Sequence, residues 1–555
     1  MRKYVYTLKS DLLEKVIINY IDYVSNPLHE WRQIISPQLG GKDIYNYGEG
    51  IKPMPLKTYN NRKELKEKII ERIPKPRYEN AKADIILIVD ILYHCYLNNQ
   101  NDTKYFHVSS KFLKRASSNY AHIIKTLRKM MIIGVNYNSS EDRNERAIYS
   151  ITDENKIHLQ ATSTINRTTT KAIKKIDEYL DEKHEEELQK AIKTTSIKFV
   201  ERYNSSLSKL TIDKDAATKY VMEEYQSDEE NHKKNKRLYT IQKINNKDYK
   251  KEIRALDDNG RIYHIGTELQ RDLKRFTNIN YSIDCKNSHP FLFSYILLLY
   301  LVDGTIDIEE DYDDGIYHTF LYYIILFLKN NKGIYNHYKF SDFLCKSLEN
   351  KKLAKWELAR MKEILQSVEN VQDDVWQYIY DVSEGKIWDM FVEAFQEDRT
   401  SVKQNLFASV MYSYVSKRKK KLDEDRAKWV NMFNSLYPSV YQYINEIKQS
   451  LHEQCKEKGM VRELKHPHVV MINNIPITFT HKDNVLLPML LMKLESKIFT
   501  NILTKLFNKR IVCFGIHDAV AVIKSKLSEE EIKQIMMDNY KEYGLIPTLS
   551  VDHYN

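Results

Sequence analysis

The stretch from Asn278 to Val302, NINYSIDCKNSHPFLFSYILLLYLV, constrains the fold more than any other part of the chain. Its first half alternates apolar and polar residues, which is the period of a strand. Its second half, Phe291 to Val302, is apolar on almost every side of a helix and stops at Asp303. That run is too short to cross a bilayer, which takes about 20 residues. It reads as a buried helix, so the core around it is expected to be α+β. Ser288, His289 and Pro290 lead into the helix, and Pro290 suits the first turn, where its missing N–H loses no partner. The strand delivers Asp284 at its end, a place where rigid scaffold holds an acid at a loop mouth. Taken alone, an acid there is more often a helix cap or a turn residue than a metal ligand.

A chain of 555 residues exceeds a single hydrophobic core, so several domains are expected. Only 14 Gly and 12 Pro are present, which favours long helices over a turn-rich β-protein. The formal net charge of +10 favours polyanionic partners, although ordinary solubility charge explains it as well. Cys95, Cys285, Cys345, Cys455 and Cys513 have no paired metal-ligand spacing. Neither a disulfide framework nor a zinc finger is expected, and a reducing cytoplasm fits. The start, MRKYVYTLKSDLLEK, lacks the apolar core of a signal peptide, so a cytoplasmic protein without a membrane partner is expected.

Residues 1–79 are mixed, with Pro53, Pro55, Pro74 and Pro76 punctuating a lysine-rich stretch that reads as loop or linker. Residues 80–152 read as AKADIILIVDILYHCYL, then SSKFLKRA capped by Ser109 or Ser110, a turn at Ser117-Ser118-Asn119, and YAHIIKTLRKMM. Two β-like runs, IIGVNYN and AIYSIT, follow around the charged loop SSEDRNER. This is the order of a winged helix-turn-helix, in which Lys125, Arg128 and Lys129 would face DNA; a domain that only packs or binds protein is the other reading. Residues 153–236 are helical and rich in opposite charges three or four apart, which suits a solvated spacer as well as a nucleic-acid clamp. From Arg237 onward strand-like pieces alternate with long helices, and the chemistry lies there.

In RIVCFGIHDAVAVIK two β-runs flank His517-Asp518, where a tight hairpin turns without the usual glycine. A second acid on a rigid hairpin can share metal ions with Asp284. Two Mg²⁺ ions about 3.5–4 Å apart stabilise the attacking and leaving oxygens of an in-line displacement. Carboxylates suit Mg²⁺, which prefers hard oxygen ligands. Between the acids, Arg399, Lys403, Phe407 and Met411 recur every fourth residue and would line one helical stripe. Two cations followed by an aromatic ring suit a nucleotide, with charge on the triphosphate and the ring on the base. A half-exposed helix burying Phe407 and Met411 is the plainer alternative. Upstream, Asp257, Gly260 and Arg261 in ALDDNGRIYHIG predict a turn that launches a strand and aims Arg261.

In order and spacing these pieces resemble the family A DNA polymerases and the single-subunit phage RNA polymerases. In that superfamily an Asp after a strand, an Arg-x3-Lys-x3-aromatic helix and a His-Asp hairpin follow one another, as here. The Asp-x2-Gly-Arg element resembles one in the phage enzymes. Asp284 to Pro290 also resembles the DxxNSxP motif of the transposon and virus polymerases of mobile elements. The resemblance covers about residues 237–555. It implies a right-hand polymerase: palm from 237–290 and 426–555, fingers from 291–425, and a helical thumb-like region at 153–236.

The resemblance also implies roles. Asp284 and Asp518 would hold two Mg²⁺ ions, with Mn²⁺ as a substitute. Lys403 would contact the triphosphate and protonate the leaving pyrophosphate, with Arg399 beside it. Phe407 would position the base, Arg261 would hold the template or hybrid, and His517 would support the primer end. The partners would be nucleoside triphosphates and a nucleic acid, DNA template and primer first.

The sequence departs from the pattern at positions that judge the sugar. Ala519 follows the hairpin Asp, His289 stands five after Asp284, and Met411 with Tyr412 stands where a tyrosine is common. Bulky His289 tilts the reading toward deoxynucleotides. No acidic exonuclease motif is evident in residues 1–236, so proofreading is not expected. The run Lys417 to Lys421 reads as a phosphate contact or as part of a solvated helix. An RNA polymerase, a primase or a template-independent enzyme stays open, as does an inactive DNA-binding replication or regulatory protein.

Overall fold

The buried helix expected after Asp284 needs partners on all sides, and the elements that supply them come from distant parts of the chain. The structure, a computed structural model, describes residues 4–25, 75–98, 105–136, 148–152, 157–161, 167–227, 230–247, 249–257, 259–304, 314–349, 351, 353–413, 424–457, 469–472, 475–478 and 483–554. Two compact units emerge, Met1–Glu186 with Lys214–Lys243, and Glu187–Asp213 with Ile244–Asn555. The stretch 153–236 is therefore divided between them. No helix among the described residues is long and apolar enough to cross a membrane.

The first unit begins with β1 (Tyr4–Leu8) and α1 (Ser10–Ser25), followed by α2 (Lys75–Leu97) and β2 (Tyr105–His107). Then come α3 (Ser110–Ala116), α4 (Tyr120–Lys129), β3 (Ile133–Asn136), β4 (Ile148–Ile151) and β5 (Ile157–Ala161). β1 pairs with β5, and β2, β4 and β3 form an antiparallel sheet in that order. α2 is apolar through AKADIILIVDILYHCYL and lies in the core, where buried Asp90 accepts a hydrogen bond from the Tyr6 N–H at 2.9 Å. Ser109 stands at the start of α3 but its side chain makes no capping hydrogen bond. α4 buries Ile123, Ile124 and Leu127 and leaves Lys125, Arg128 and Lys129 on its exposed side. The charged loop SSEDRNER lies outside the described residues. α5 (Arg167–Thr194), α6 (Ile197–Leu207), α7 (Lys214–Glu224) and α8 (Asn231–Asn245) complete the N-terminal half.

The second unit holds α6 and everything after α8. β6 (Ala255–Leu256) and β7 (Ile262–Tyr263) form a short hairpin, then α9 (Ile265–Glu268) and a 3₁₀ turn lead to β8 (Tyr281–Cys285). The expected strand RIYHIG is thus short. His264 ends it by capping α9, accepting a hydrogen bond from Gly266 N–H while its own N–H is held by Thr267. After β8 comes α10 (Ser288–Asp303), the helix foreseen as buried, and every residue from Ser288 to Leu299 is buried. The helices α11 (Asp314–Asn330), α12 (His337–Leu348), α13 (Lys355–Ser367), α14 (Asp373–Ser383), α15 (Ile387–Phe395) and α16 (Arg399–Leu406) follow. A π-helical turn, Phe407–Met411, extends α16.

α17 (Glu424–Leu436), α18 (Pro438–Glu457) and the hairpin β9 (Val469–Ile472) and β10 (Ile475–Thr478) come next. The chain ends with α19 (Asp483–Asn508), β11 (Val512–Ile516), β12 (Ala519–Lys524), α20 (Glu529–Lys541) and β13 (Leu549–His553). α10 packs against α11, α14, α18 and α19, which explains how a helix apolar all round is accommodated. One antiparallel sheet, in the order β11-β12-β8-β13, carries the rest of this core.

His264 is fully buried, and burial pushes its imidazole down from 6.5 to about 4. The folded protein therefore stays neutral at this ring while the unfolded chain takes up a proton. The resulting stability is complete above about pH 6.5 and is lost as pH falls from there to about 4, on the order of 3 kcal/mol from this group. Thermal melts between pH 7 and pH 4 are expected to show a shallower loss in His264→Gln than in wild type. Equal slopes would contradict this assignment.

Candidate active site

β8 and β12 are neighbours, with Ala519 opposite Asp284. The Cys285 N–H donates to the Asp518 carbonyl at 3.3 Å, which sets the two acids at the same end of the sheet. Asp518 belongs to a two-residue turn, because Ile516 pairs directly with Ala519. His517, the other turn residue, adopts a left-handed conformation with φ 55°, where Gly or Asn is usual. Asn287 does the same, φ 59°, three residues after Asp284. At His517 this costs about 1 kcal/mol or more, and such strain gathers at functional sites; Asn tolerates the conformation.

The electrostatics follow from this placement. Burial, and next the charge of Asp518, push the Asp284 carboxyl up to about 8, against the pull of Lys403. Asp518 keeps some exposed surface but has protein on most sides. Burial and then Glu495 push its carboxyl up to about 6, against His289 and Lys403. Two buried acids with raised carboxyls, one of them raised by the other, that share one lysine form a site that a cation relieves. Asp284 Oδ1, Arg261 Nε and both amide atoms of Asn287 are buried without a hydrogen-bonding partner. Among the described residues no group of three or more His, Cys, Asp or Glu side chains gathers as a metal cage. A pair of carboxylates fits hydrated Mg²⁺, which keeps water and phosphate ligands.

Behind the acids stands Glu495 of α19, buried at 3% exposure. Its Oε2 accepts from Arg261 Nη2 at 2.6 Å and its Oε1 from Ser288 Oγ at 2.6 Å, with His289 Nε2 3.4 Å away. Burial alone would raise this carboxyl, yet His289, Arg261 and Ser288 together hold it well below the usual range. Arg261 reaches the hub because Asp257 folds the preceding turn. Its carboxylate accepts from the Asn259 and Arg261 N–H groups at 2.9 and 2.8 Å. Gly260 there has φ 83°, a conformation open to glycine. Asp258, the first residue of the expected turn, lies outside the described residues. His289 is engaged through both ring nitrogens, with Arg261 Nη2 3.1 Å from Nε2 and the Tyr412 hydroxyl 3.5 Å from Nδ1. His517 stacks edge-on against Tyr263, ring centroids 6.2 Å apart.

α16 starts at Asp398, whose side chain accepts from Thr400 and Ser401 N–H. Lys403, one turn in, is half-buried and acts on both aspartates. Arg399 is exposed and pairs with Asp389 at 2.7 Å. The expected straight stripe bends at the π-helical turn, which widens the helix from Phe407 onward. Phe407 packs against Trp388, His289 and Tyr412, ring centroids 5.1, 5.8 and 5.6 Å away. Met411 is buried and lines a small apolar pocket with Phe407, Trp388 and Pro290. The stripe thus runs from exposed Arg399 through half-buried Lys403 to an apolar pocket shared by Phe407 and Met411.

Lys125, Arg128 and Lys129 belong to α4 of the first unit. The basic run Lys417 to Lys421 lies outside the described residues. Sequence reasoning missed Glu495, whose one local signal is an acid inside the apolar run VLLPMLLMKLESKIF. It also missed the unpartnered Asn287 amide, which has no signal beyond its place in the motif. No protein-family model matches the chain, and no curated protein is significantly similar to it.

Proposed function

We propose that this chain is a nucleic-acid polymerase that adds nucleotides to a 3′-OH, with template-directed DNA synthesis as its reaction. The observation that carries the reading is the meeting of Asp284 and Asp518 across β8 and β12, with Lys403 acting on both. In this reading the sheet β11-β12-β8-β13 is the palm, the helices between α10 and α17 are the fingers, and residues 153–236 are the thumb-like region. Asp284 and Asp518 hold the metal ions. Bound Mg²⁺ neutralises phosphate charge and activates the attacking and leaving oxygens. Lys403 contacts the triphosphate and donates a proton to the pyrophosphate, while Arg399 exchanges Asp389 for phosphate oxygens. Phe407 supports the base of the incoming nucleotide. Arg261, fixed by Glu495, braces the template side, and His517 lies against the primer end. The helix α4 of the first unit offers Lys125, Arg128 and Lys129 to duplex DNA. Catalysis is then mainly positioning and charge neutralisation.

His289 and Tyr412 support the preference for deoxynucleotides. Their contact, together with Glu495, fixes a bulky ring five residues beyond Asp284 at the start of α10; in this reading the ring closes off space for a 2′-hydroxyl. His289→Gly is expected to raise the ratio of kcat/KM for NTP over dNTP by about 10–200-fold, the scale of one steric contact in a pocket. His289→Gln, which keeps a polar group beside Glu495, separates loss of bulk from loss of that contact. A wild type that prefers ribonucleotides would transfer the reading to an RNA polymerase or primase. An unmoved ratio would place the sugar gate elsewhere, with Tyr412 next.

A further inference from the structure

We infer that Tyr203 and His264 are positioning residues that clamp Gly515, and through it the turn that carries Asp518. The inference rests on the polymerase reading of that aspartate. β11 is an edge strand of the four-stranded sheet, so the outward N–H and C=O of Gly515 have no neighbouring strand to pair with. Two buried side chains take the place of that strand. The Gly515 N–H donates to Tyr203 Oη at 3.1 Å. His264 Nδ1 accepts from the Gly266 N–H at 3.0 Å, so the ring proton sits on Nε2 and is donated to the Gly515 carbonyl at 2.8 Å. Tyr203 Oη lies 2.9 Å from the same Nε2 and 3.2 Å from the same carbonyl, which closes the network.

The packing leaves little freedom in this arrangement. Tyr203 is 1% exposed and its ring lies against Phe199, Phe507 and His264. A side chain at position 515 would press on Leu503 Cδ1 at 3.3 Å and come into contact with Tyr203 Oη at 3.5 Å, so the space around Gly515 is already filled. Gly515 stands two residues before His517, at the root of a strained turn that is only two residues long. A displacement at Gly515 therefore passes directly to Asp518. Catalytic groups must be held to about 0.5 Å, and a misplacement of about 1 Å costs up to a hundredfold in rate. The clamp draws Tyr203 from α6 and His264 from the start of α9, two elements far apart in sequence.

Tyr203→Phe removes one hydroxyl and keeps the ring packing. In the full-length protein the amide of Gly515 is expected to exchange hydrogen at least about tenfold faster in this variant. In primer extension, kcat falls by about tenfold or more and the Mg²⁺ concentration for half-maximal rate rises several-fold, while the nucleotide KM stays within about twofold. His264→Gln, which can still donate to the Gly515 carbonyl, retains more activity than His264→Ala. Unchanged exchange at Gly515 would overturn the clamp. Faster exchange with wild-type kcat and Mg²⁺ dependence would overturn its positioning role, as would a rate loss that follows only the folded fraction. Exchange needs no activity, so a wild type without synthesis would count against the polymerase reading and leave the clamp itself decided by exchange.

Discussion

Asp284→Ala and Asp518→Ala are each expected to lower Mg²⁺-dependent nucleotide addition by about a thousandfold or more, with both variants remaining folded. Divalent ions contribute several kcal/mol of charge stabilisation in such reactions, and about 1.4 kcal/mol is a factor of ten. Neither acid has a replacement, because no third carboxylate among the described residues completes a metal cage with them. The fold survives for an electrostatic reason. Each carboxyl is raised by burial and by other acids at the site, so neither stabilises the metal-free protein in its charged form. Removing Asp518 relieves Asp284, removing Asp284 deletes the more strongly raised carboxyl, and melting temperatures equal to or above wild type are expected near neutral pH. Near-normal synthesis by either variant would end the two-metal assignment. A collapse of the fold would mean that the acids are structural.

Lys403→Ala is expected to lower kcat by about a hundredfold or more, the usual scale for a positioned proton donor. Lys403 is the cation that opposes the raised carboxyl of both aspartates, so its charge already lies where phosphate oxygens would arrive. Lys403→Arg keeps the charge but donates a proton poorly, so it should restore nucleotide binding more than rate. Arg399→Ala should instead raise KM by a smaller factor, since Arg399 is exposed and must leave Asp389 to reach a phosphate. Unchanged kinetics in both alanine variants would return α16 to a packing role.

The parts of this account that were legible in the sequence have local causes. Alternation in NINYSID and an all-apolar run after Pro290 are short-range patterns, and they appear as β8 and α10. The turn at His517-Asp518 follows from two flanking β-runs, and it is a two-residue hairpin. The helix, turn, helix and hairpin expected in residues 80–152 are consecutive elements, and they appear as α3, α4, β3 and β4, with β2 added to make a three-stranded sheet. What was not legible depends on contacts between distant residues. Glu495 lies 234 positions from Arg261, and nothing local marks either as the other's partner. The π-helical turn at Phe407 depends on tertiary support, including buried Lys448, which donates to the Val410 carbonyl at 2.5 Å. The two units interleave at Glu187–Asp213 because α6 packs on β11, far along the chain.

Extension of a labelled primer annealed to a template, with dNTPs or NTPs supplied separately in Mg²⁺, decides whether the chain is a polymerase. A polymerase of this kind is expected to give template-encoded extension from dNTPs, with one pyrophosphate released per nucleotide, abolished by chelation and by Asp284→Ala. Binding of the primer–template without any extension, in Mg²⁺ or Mn²⁺ and with either nucleotide set, would contradict it and leave a nucleic-acid-binding protein without synthesis.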